Sequence, residues 1–515
     1  MPGYPRPRTV SACSLVELAA LLRVTAPGSG VAVTGVTLAS DSVRPGDLFA
    51  GLPGSRAHGA RFAGAARAAG AVAVLTDPTG VPLAADTGLP VLVVDDPRAA
   101  VGEVAALVYG RPTERLMVLG ITGTAGKTST AYLVEAGLRA AGHITGLIGT
   151  VETRIGTEVL DSARTTPEAS DLQALFAVAL QSGATAVAME VSSHALALGR
   201  VNGTRFAVGG YTNFGTDHLD FHPSVDEYFA AKALLFDGRC RYEVVNLDDP
   251  ALKPLLRPDT ITYSAAGDPA AIWRAGAVAP DGYGQRFRAY GPGGIEVDAA
   301  VGLPGRHNVA NALLALASLV AVGVDPGTAA AGIAACPGVP GRLERVAAPG
   351  PVIGVVDYAH KPDAIVAALA ALRESTAGRL ICVIGAGGDR DTAKRSVMGA
   401  AAAEGADLVI VTDDNPRTED PAAIRAAVLA GAAEAAAAGG PPGAGPGRAE
   451  GLKVIEVAGR RAAIAEAVAR AAPGDVVALL GKGHERGQEV GGDVLPFDDR
   501  IELAAALHAR FGSDS

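Results

Sequence analysis

Met117-Val-Leu-Gly-Ile-Thr-Gly-Thr-Ala-Gly-Lys-Thr-Ser-Thr130 constrains the fold of this chain more than any other stretch. A short apolar run leads into a glycine-rich turn, and the turn leads into a helical pattern, so the order is strand, loop, helix. Gly123 and Gly126 let backbone N–H groups close on phosphate oxygens, and Lys127 adds a point charge beside them. Thr128 offers a hydroxyl to Mg²⁺, and the helix that follows turns its N-terminus toward the anion. Ile121 stands where the longer pattern has glycine, so this is a shortened P-loop. Thr122, Gly123, Thr124, Ala125, Gly126, Lys127, Thr128 and Ser129 form the expected cradle. The ligand it predicts is ATP or a relative.

A chain of 515 residues is long enough for about two to four domains, and 49% hydrophobic residues suffice for several cores. The formal net charge of −10 argues against non-specific nucleic-acid binding, which needs a basic face. Cys13, Cys240, Cys336 and Cys382 are scattered without a Cys-x-x-Cys pair, which predicts reduced thiols in a cytoplasmic protein and no zinc motif. Ser14–Arg23 reads as an amphipathic helix, and no secretory signal is visible. The uncharged run His307–Val324 carries Asn308 and Asn311 and ends at Asp325-Pro326, so a buried helix is expected there rather than a membrane span. Neither nucleic-acid binding nor membrane insertion is expected.

The pattern divides the chain into three α/β regions, 1–112, 113–346 and 347–515, with Tyr109–Thr113 read as a linker. The first alternates short strands such as Ala71–Leu75 and Val91–Val94 with alanine-rich helices. The second places Ala186–Glu190 and Tyr242–Asn246 in a mostly parallel sheet. In the third, Val352–Asp357, Leu380–Gly385, Leu408–Thr412 and Val476–Leu480 each run into a polar turn. Ligands of open α/β sheets gather at such turns. Gly431–Glu450, rich in Ala, Gly and Pro, reads as a mobile surface insertion.

Several constellations carry chemistry. Glu190 ends an apolar strand, where its carboxylate can complete a Mg²⁺ shell begun by Thr128 or act as a helix cap or surface ion pair. His218 and His222 are four apart with Asp217 and Asp220 between them. Magnesium ranks above zinc there, a structural role ranks first for His222, and helix N-caps are an equal reading of the two aspartates. Asn308 and Asn311 on an apolar helix need partners. Arg342 and Asp357 straddle the second and third regions and point to an ATP cleft between domains. Gly387–Asp391, Asp413–Arg417 and Gly481–Glu485 bring Arg390, Arg417, Asn415 and Glu485 to one rim. Forked guanidiniums suit a carboxylate and Glu485 suits an ammonium, so the rim fits an amino acid.

These residues, from Ser40-Asp-Ser-Val-Arg-Pro-Gly-Asp-Leu-Phe49 to Gly481-Lys-Gly-His-Glu485, resemble the Mur ligases of peptidoglycan synthesis over nearly the whole chain. The resemblance implies three domains: one for a UDP-sugar, a central P-loop ATPase with a mostly parallel sheet, and a Rossmann-like amino-acid domain. It implies that Ser40, Asp41 and Ser42 lie at the uridine end, and that Thr165, Thr166, Ser192 and Arg200 hold the muramoyl dipeptide. Lys232 matches the lysine that the family carbamoylates with carbon dioxide, His218 would share a second Mg²⁺, and Asn311, Arg342, Asp357 and His360 would bind nucleotide. Asp414-Asn415-Pro416-Arg417 is the family's mark of diaminopimelate over lysine. With it Arg390, Gly481 and Glu485 would clamp that substrate. The implied activity is ATP-dependent amide formation by a monomer, on a UDP-N-acetylmuramoyl dipeptide and diaminopimelate. L-Lysine in place of diaminopimelate, a folylpolyglutamate-synthase-like ligase and a regulatory P-loop ATPase are the alternatives.

Overall fold

The computed structural model describes residues 4–28, 30–160, 164–438 and 452–512. The chain divides into two compact units, one of residues 1–276, 288–299 and 310–333, the other of residues 277–287, 300–309 and 334–515.

Unit one begins with the Leu15–Leu22 helix, started by a capping box in which Ser14 and Glu17 satisfy each other's backbone amides. Four parallel strands follow, Gly35–Thr37, Asp47–Ala50, Ala73–Thr76 and Val91–Val93, adjacent in sequence order. Their helix Pro97–Val108 buries Val101, Val104, Ala105 and Val108 in a core that also takes Ala169, Ala174 and Ala177 from the helix Ala169–Gln181. Tyr109–Thr113, expected as a linker, is packed instead. The Tyr109 hydroxyl accepts from the Val36 amide at 3.2 Å, and the buried Thr113 hydroxyl accepts from the Arg205 amide at 3.1 Å.

The larger sheet of unit one sets Thr145–Ile148, Ala186–Glu190, Met117–Thr122, Phe206–Tyr211, Cys240–Asn246 and Ile261–Ser264 side by side, all parallel. Successive strands move to opposite sides of Met117–Thr122, which makes its carboxyl end the switch point where such sheets bind ligands. The helix Arg306–Ala321 buries every residue from Ala312 to Leu319. Its uncharged character therefore belongs to a protein core.

Unit two holds a six-stranded sheet in the order Glu344–Val346, Ile353–Asp357, Val476–Leu480, Leu380–Ile384, Leu408–Val411, Lys453–Glu456. Only Glu344–Val346 is antiparallel. The four expected strands of this region appear with ends shifted by one residue at most. The expected insertion at Gly431 is corrected: the helix Pro421–Ala437 continues through it, with Gly431 packed on the Ser396 carbonyl and Ala432 fully buried. Residues 439–451, the remainder of that segment, lie outside the described residues.

Candidate functional site

The P-loop joins the strand Met117–Thr122 to the helix Lys127–Ala140. Gly123 has φ 140° and Gly126 φ 84°, and a Cβ at Gly123 would strike the Thr212 hydroxyl. Both positions therefore require glycine for conformation as well as space. Gly126 is the helix N-cap and no side chain caps the first turn, so the N-terminus keeps its anion-binding character. The turn Thr212–Gly215 braces the loop from behind. Thr212 donates to the Ala125 carbonyl at 2.6 Å, while Asn213 accepts the Ala125 amide at 3.0 Å through Oδ1 and the Thr124 amide at 2.8 Å through its carbonyl. Ala125 takes part through its backbone, by its amide and its carbonyl. A Cβ on Gly126 would sit 2.5 Å from Asn311 Oδ1, which puts that amide directly against the loop.

Glu190 is buried to 1% exposure at the end of its strand. Its Oε2 accepts from Thr128 Oγ1 at 2.9 Å, and its Oε1 accepts from the Thr150 amide at 2.7 Å. It is thus a buried acceptor rather than a helix cap or surface ion pair. Thr150 Oγ1 also lies 2.9 Å from Thr165 Oγ1, and Thr166 Oγ1 donates to the Glu190 carbonyl at 2.9 Å. The Ser192 amide donates to Thr166 Oγ1 at 3.2 Å, and Ser192 caps the short helix Ser193–Ala197. Arg200 Nε lies 3.0 Å from Glu168, which Arg164 and Arg98 also approach, at 2.7 and 3.8 Å. Three guanidiniums thus gather around the Glu168 carboxylate. Burial pulls the Arg200 pKa below its usual value, Glu168 opposes, and Arg164 and Arg98 add to the pull.

Lys127 Nζ donates to the carbonyls of Gly123 and Thr124 at 2.8 and 3.0 Å. Lys232, 1% exposed, donates to the same Gly123 carbonyl at 2.8 Å and lies 4.6 Å from the Tyr228 ring centroid. The structure therefore turns a helical lysine into a neighbour of the P-loop. His218 has φ 52° and packs edge-on to His194 at 4.7 Å. His222 is buried and within 3.0 Å of Ser193 Oγ, a structural position. Asp217 and Asp220 cap no helix; Ser224 caps Val225–Ala233. Among the described residues no group of three His, Cys, Asp or Glu side chains is arranged to hold a metal. Ser40, Asp41 and Ser42 form an outward 3₁₀ turn, with Ser42 Oγ donating to Asp41.

In unit two Arg342 lies 4.5 Å above the Tyr358 ring, and His360 and His484 flank that ring at 4.6 and 5.1 Å. Burial pushes both histidines down to about 4, so each is neutral at pH 7. Asp357 uses both oxygens on backbone amides, of Leu343 and Ala359, each at 2.7 Å. Asn308 Nδ2 donates to the Pro304 carbonyl at 2.8 Å, which supplies the partner its burial requires.

The three polar turns meet. Asn415 Nδ2 donates to Glu485 Oε2 at 2.9 Å. The Gly388 amide donates to the Asn415 carbonyl at 2.9 Å, and Arg417 Nη1 donates to the Gly388 carbonyl at 2.6 Å. Arg417, with φ 53°, also pairs through Nε with Glu489 at 2.8 Å. Gly481 places its backbone so close to Asp414 that a Cβ would meet Oδ2 at 2.6 Å. Pro416 lies between the two pairing residues, and Arg390 is exposed. Sequence reasoning missed Thr150, Thr212, Asn213, Arg98, Glu489 and Lys482. Only Lys482 carried a signal, because it stands inside the Gly481–Glu485 turn.

Three family models match: "Mur ligase family, catalytic domain" over residues 32–109, "Mur ligase middle domain" over 121–319, and "Mur ligase, glutamate ligase domain" over 341–483. A Streptomyces coelicolor protein named UDP-N-acetylmuramoyl-L-alanyl-D-glutamate--2,6-diaminopimelate ligase is 54% identical over 511 residues, 98% of each chain. The chain belongs to the Mur ligase family. A Corynebacterium glutamicum Mur ligase of the same name is 47% identical over 92% of both chains. A solved structure of a ligase with that name shares 30% identity at a TM-score of 0.69, covering 97% of this chain and 99% of its own. Within a Mur ligase, parallel sheets with polar turns at their carboxyl ends are a fold for ATP-dependent amide formation. No helix among the described residues is long and apolar enough to cross a membrane.

Proposed function

We propose that the chain joins diaminopimelate to the D-glutamate of UDP-N-acetylmuramoyl-L-alanyl-D-glutamate, with ATP as the energy source, in making a peptidoglycan precursor. The observation that carries this reading is the shared carboxylate. Glu190 takes the P-loop hydroxyl of Thr128 on the same oxygen that Thr150 approaches at 3.3 Å, and Thr150 touches Thr165. A triphosphate loop and an acceptor pocket built around one acid suit phosphoryl transfer to a bound carboxylate. A regulatory ATPase has no use for the second half of that arrangement.

In the reaction a carboxylate oxygen of the dipeptide attacks the γ-phosphorus, and the bond to the ADP oxygen breaks. The amine nitrogen then attacks the acyl carbon, phosphate leaves, and the amine gives up a proton to form the amide. Lys127 neutralises charge on the transferring group. Thr165, Thr166, Ser192 and Arg200, the last beside Arg164 and Arg98 on Glu168, hold the dipeptide, and Ser40, Asp41 and Ser42 take the uridine end. Asn311, Arg342, Asp357 and His360 are the nucleotide contacts. Asp357 would act by holding the Leu343 and Ala359 amides in place, since its carboxylate is already engaged.

Thr128 and Glu190 fit Mg²⁺, because a hydroxyl that donates its proton to Glu190 keeps lone pairs for a hard cation. Lys232 fits a carbamate, since the CO₂ adduct would retain one N–H for the Gly123 carbonyl while adding anionic oxygens for a cation. When bound, Mg²⁺ supplies charge neutralisation at the phosphates. Four cysteines scattered without a Cys-x-x-Cys pair support a reducing, cytoplasmic setting.

The direct test is product mass. ATP, the UDP-muramoyl dipeptide and diaminopimelate should yield one new species equal to the two substrates less one water. In the same assay Arg417→Ala should raise the diaminopimelate KM by about 10- to 100-fold with kcat changed little, as expected for loss of a charge-assisted contact. An unchanged KM would remove Arg417 from substrate recognition.

A further inference from the structure

Lys482 is 0% exposed, an unusual place for an ammonium. It follows the strand Val476–Leu480 and Gly481, where a core-filling apolar side chain would avoid the cost of burying charge. Its Nζ donates to Asn415 Oδ1 at 2.9 Å and to Glu485 Oε2 at 3.1 Å. Asn415 Nδ2 donates to that same Glu485 oxygen at 2.9 Å, closing a triangle. The Glu489 amide donates to Asn415 Oδ1 at 3.0 Å, giving that oxygen a second donor.

This triangle removes two freedoms. A flipped Asn415 amide would point its NH₂ at the Lys482 ammonium and at the Glu489 N–H, donors facing donors, so only one orientation is allowed. Glu485 Oε2 holds two donors, while none of the hydrogen bonds among these residues reaches Oε1, and the carboxylate is 32% exposed. We infer that Lys482 is a positioning residue for the incoming amino acid: it fixes Asn415 and Glu485 in the one arrangement that presents a single carboxylate oxygen to the substrate ammonium. The inference rests on the proposed diaminopimelate-adding activity.

A positioning role and a merely structural one differ in what they couple to. Lys482 acts through Glu485, so its effect should vanish once Glu485 has lost its charge. A structural effect would persist and would reach every substrate.

The experiment is a double-mutant cycle on the full chain with Lys482→Met, Glu485→Gln and the pair, reading phosphate release against meso-diaminopimelate and ATP, with thermal melting in parallel. Lys482→Met should raise the diaminopimelate KM about 10- to 100-fold and leave the ATP KM within about twofold. Added to Glu485→Gln, it should raise that KM by no more than about threefold. Multiplication of the two single effects, or an ATP KM that rises in step, would overturn the inference. If the Met variant does not fold, Lys482→Gln keeps an N–H donor for Asn415 and should give an intermediate KM; a wild-type KM there would also overturn it. Wild-type protein without diaminopimelate-dependent release would overturn the proposed function as well, whereas normal wild-type release with an unchanged Lys482→Met KM would overturn this inference alone.

Discussion

Lys127→Ala is expected to lower turnover by about 10³-fold or more while leaving the protein folded. Its ammonium sits on the Gly123 and Thr124 carbonyls of the loop proposed to hold the phosphates. The loop is also held by contacts from Thr212 and Asn213, so removing the lysine takes away a charge and two of several loop contacts. Lys127→Arg should not restore activity, because a planar, branched guanidinium cannot replace a compact point charge in so tight a turn. The measurement is kcat beside a melting curve. A variant that keeps a tenth of wild-type turnover, or that melts far below wild type, would contradict this role.

The second large effect concerns stability. Arg460 and Asp499 are both fully buried and pair through two bonds, Nε to Oδ1 at 2.7 Å and Nη2 to Oδ2 at 2.6 Å. Burial pulls the Arg460 pKa down and the Asp499 carboxylate more than restores it, so the guanidinium stays charged. It also donates to the Leu480 carbonyl at 3.1 Å and the Asp413 carbonyl at 3.4 Å. Those carbonyls belong to the strand ends from which the Gly481–Glu485 and Asp414–Arg417 turns emerge. Asp499→Ala leaves the buried guanidinium with Asp414, at 4.0 Å, as its nearest remaining carboxylate and should cost about 3–5 kcal/mol. In a unit of this size that is a fall in melting temperature on the order of 10 °C. Replacing both partners, Arg460→Met with Asp499→Leu, should recover much of the stability. It should not recover diaminopimelate affinity, because the two carbonyls lose their donor. A melting temperature unmoved by Asp499→Ala would show that the pair contributes little.

Local chemistry was legible in the sequence wherever one stretch carried the whole device. The P-loop, the strand ending in Glu190 and the three polar turns of unit two need no distant partner to be seen. Glu190 lies buried against Thr128, while helix capping by Asp217 and Asp220 gives way to Ser224, whose hydroxyl lies at the true helix start. Other features depend on which strands become neighbours. Lys232 meets the loop from more than a hundred positions away, and Thr150 reaches Glu190 because Thr145–Ile148 pairs with Ala186–Glu190. Arg417, a substrate clamp on the sequence reading, also pairs with Glu489, whose strand Gly487–Val490 no motif announces. Helical composition also misled once: Ala and Gly at 431–437 looked like low complexity, but small residues are what let that helix pack on the Lys394–Gly405 helix.

The most direct test is phosphate release from ATP, measured with and without UDP-N-acetylmuramoyl-L-alanyl-D-glutamate and with meso-diaminopimelate, LL-diaminopimelate or L-lysine in parallel. The predicted result is release that needs both the nucleotide-sugar and one diaminopimelate isomer. Release that proceeds with L-lysine instead would overturn the reading of Arg417, and release that needs neither substrate would contradict the ligase itself.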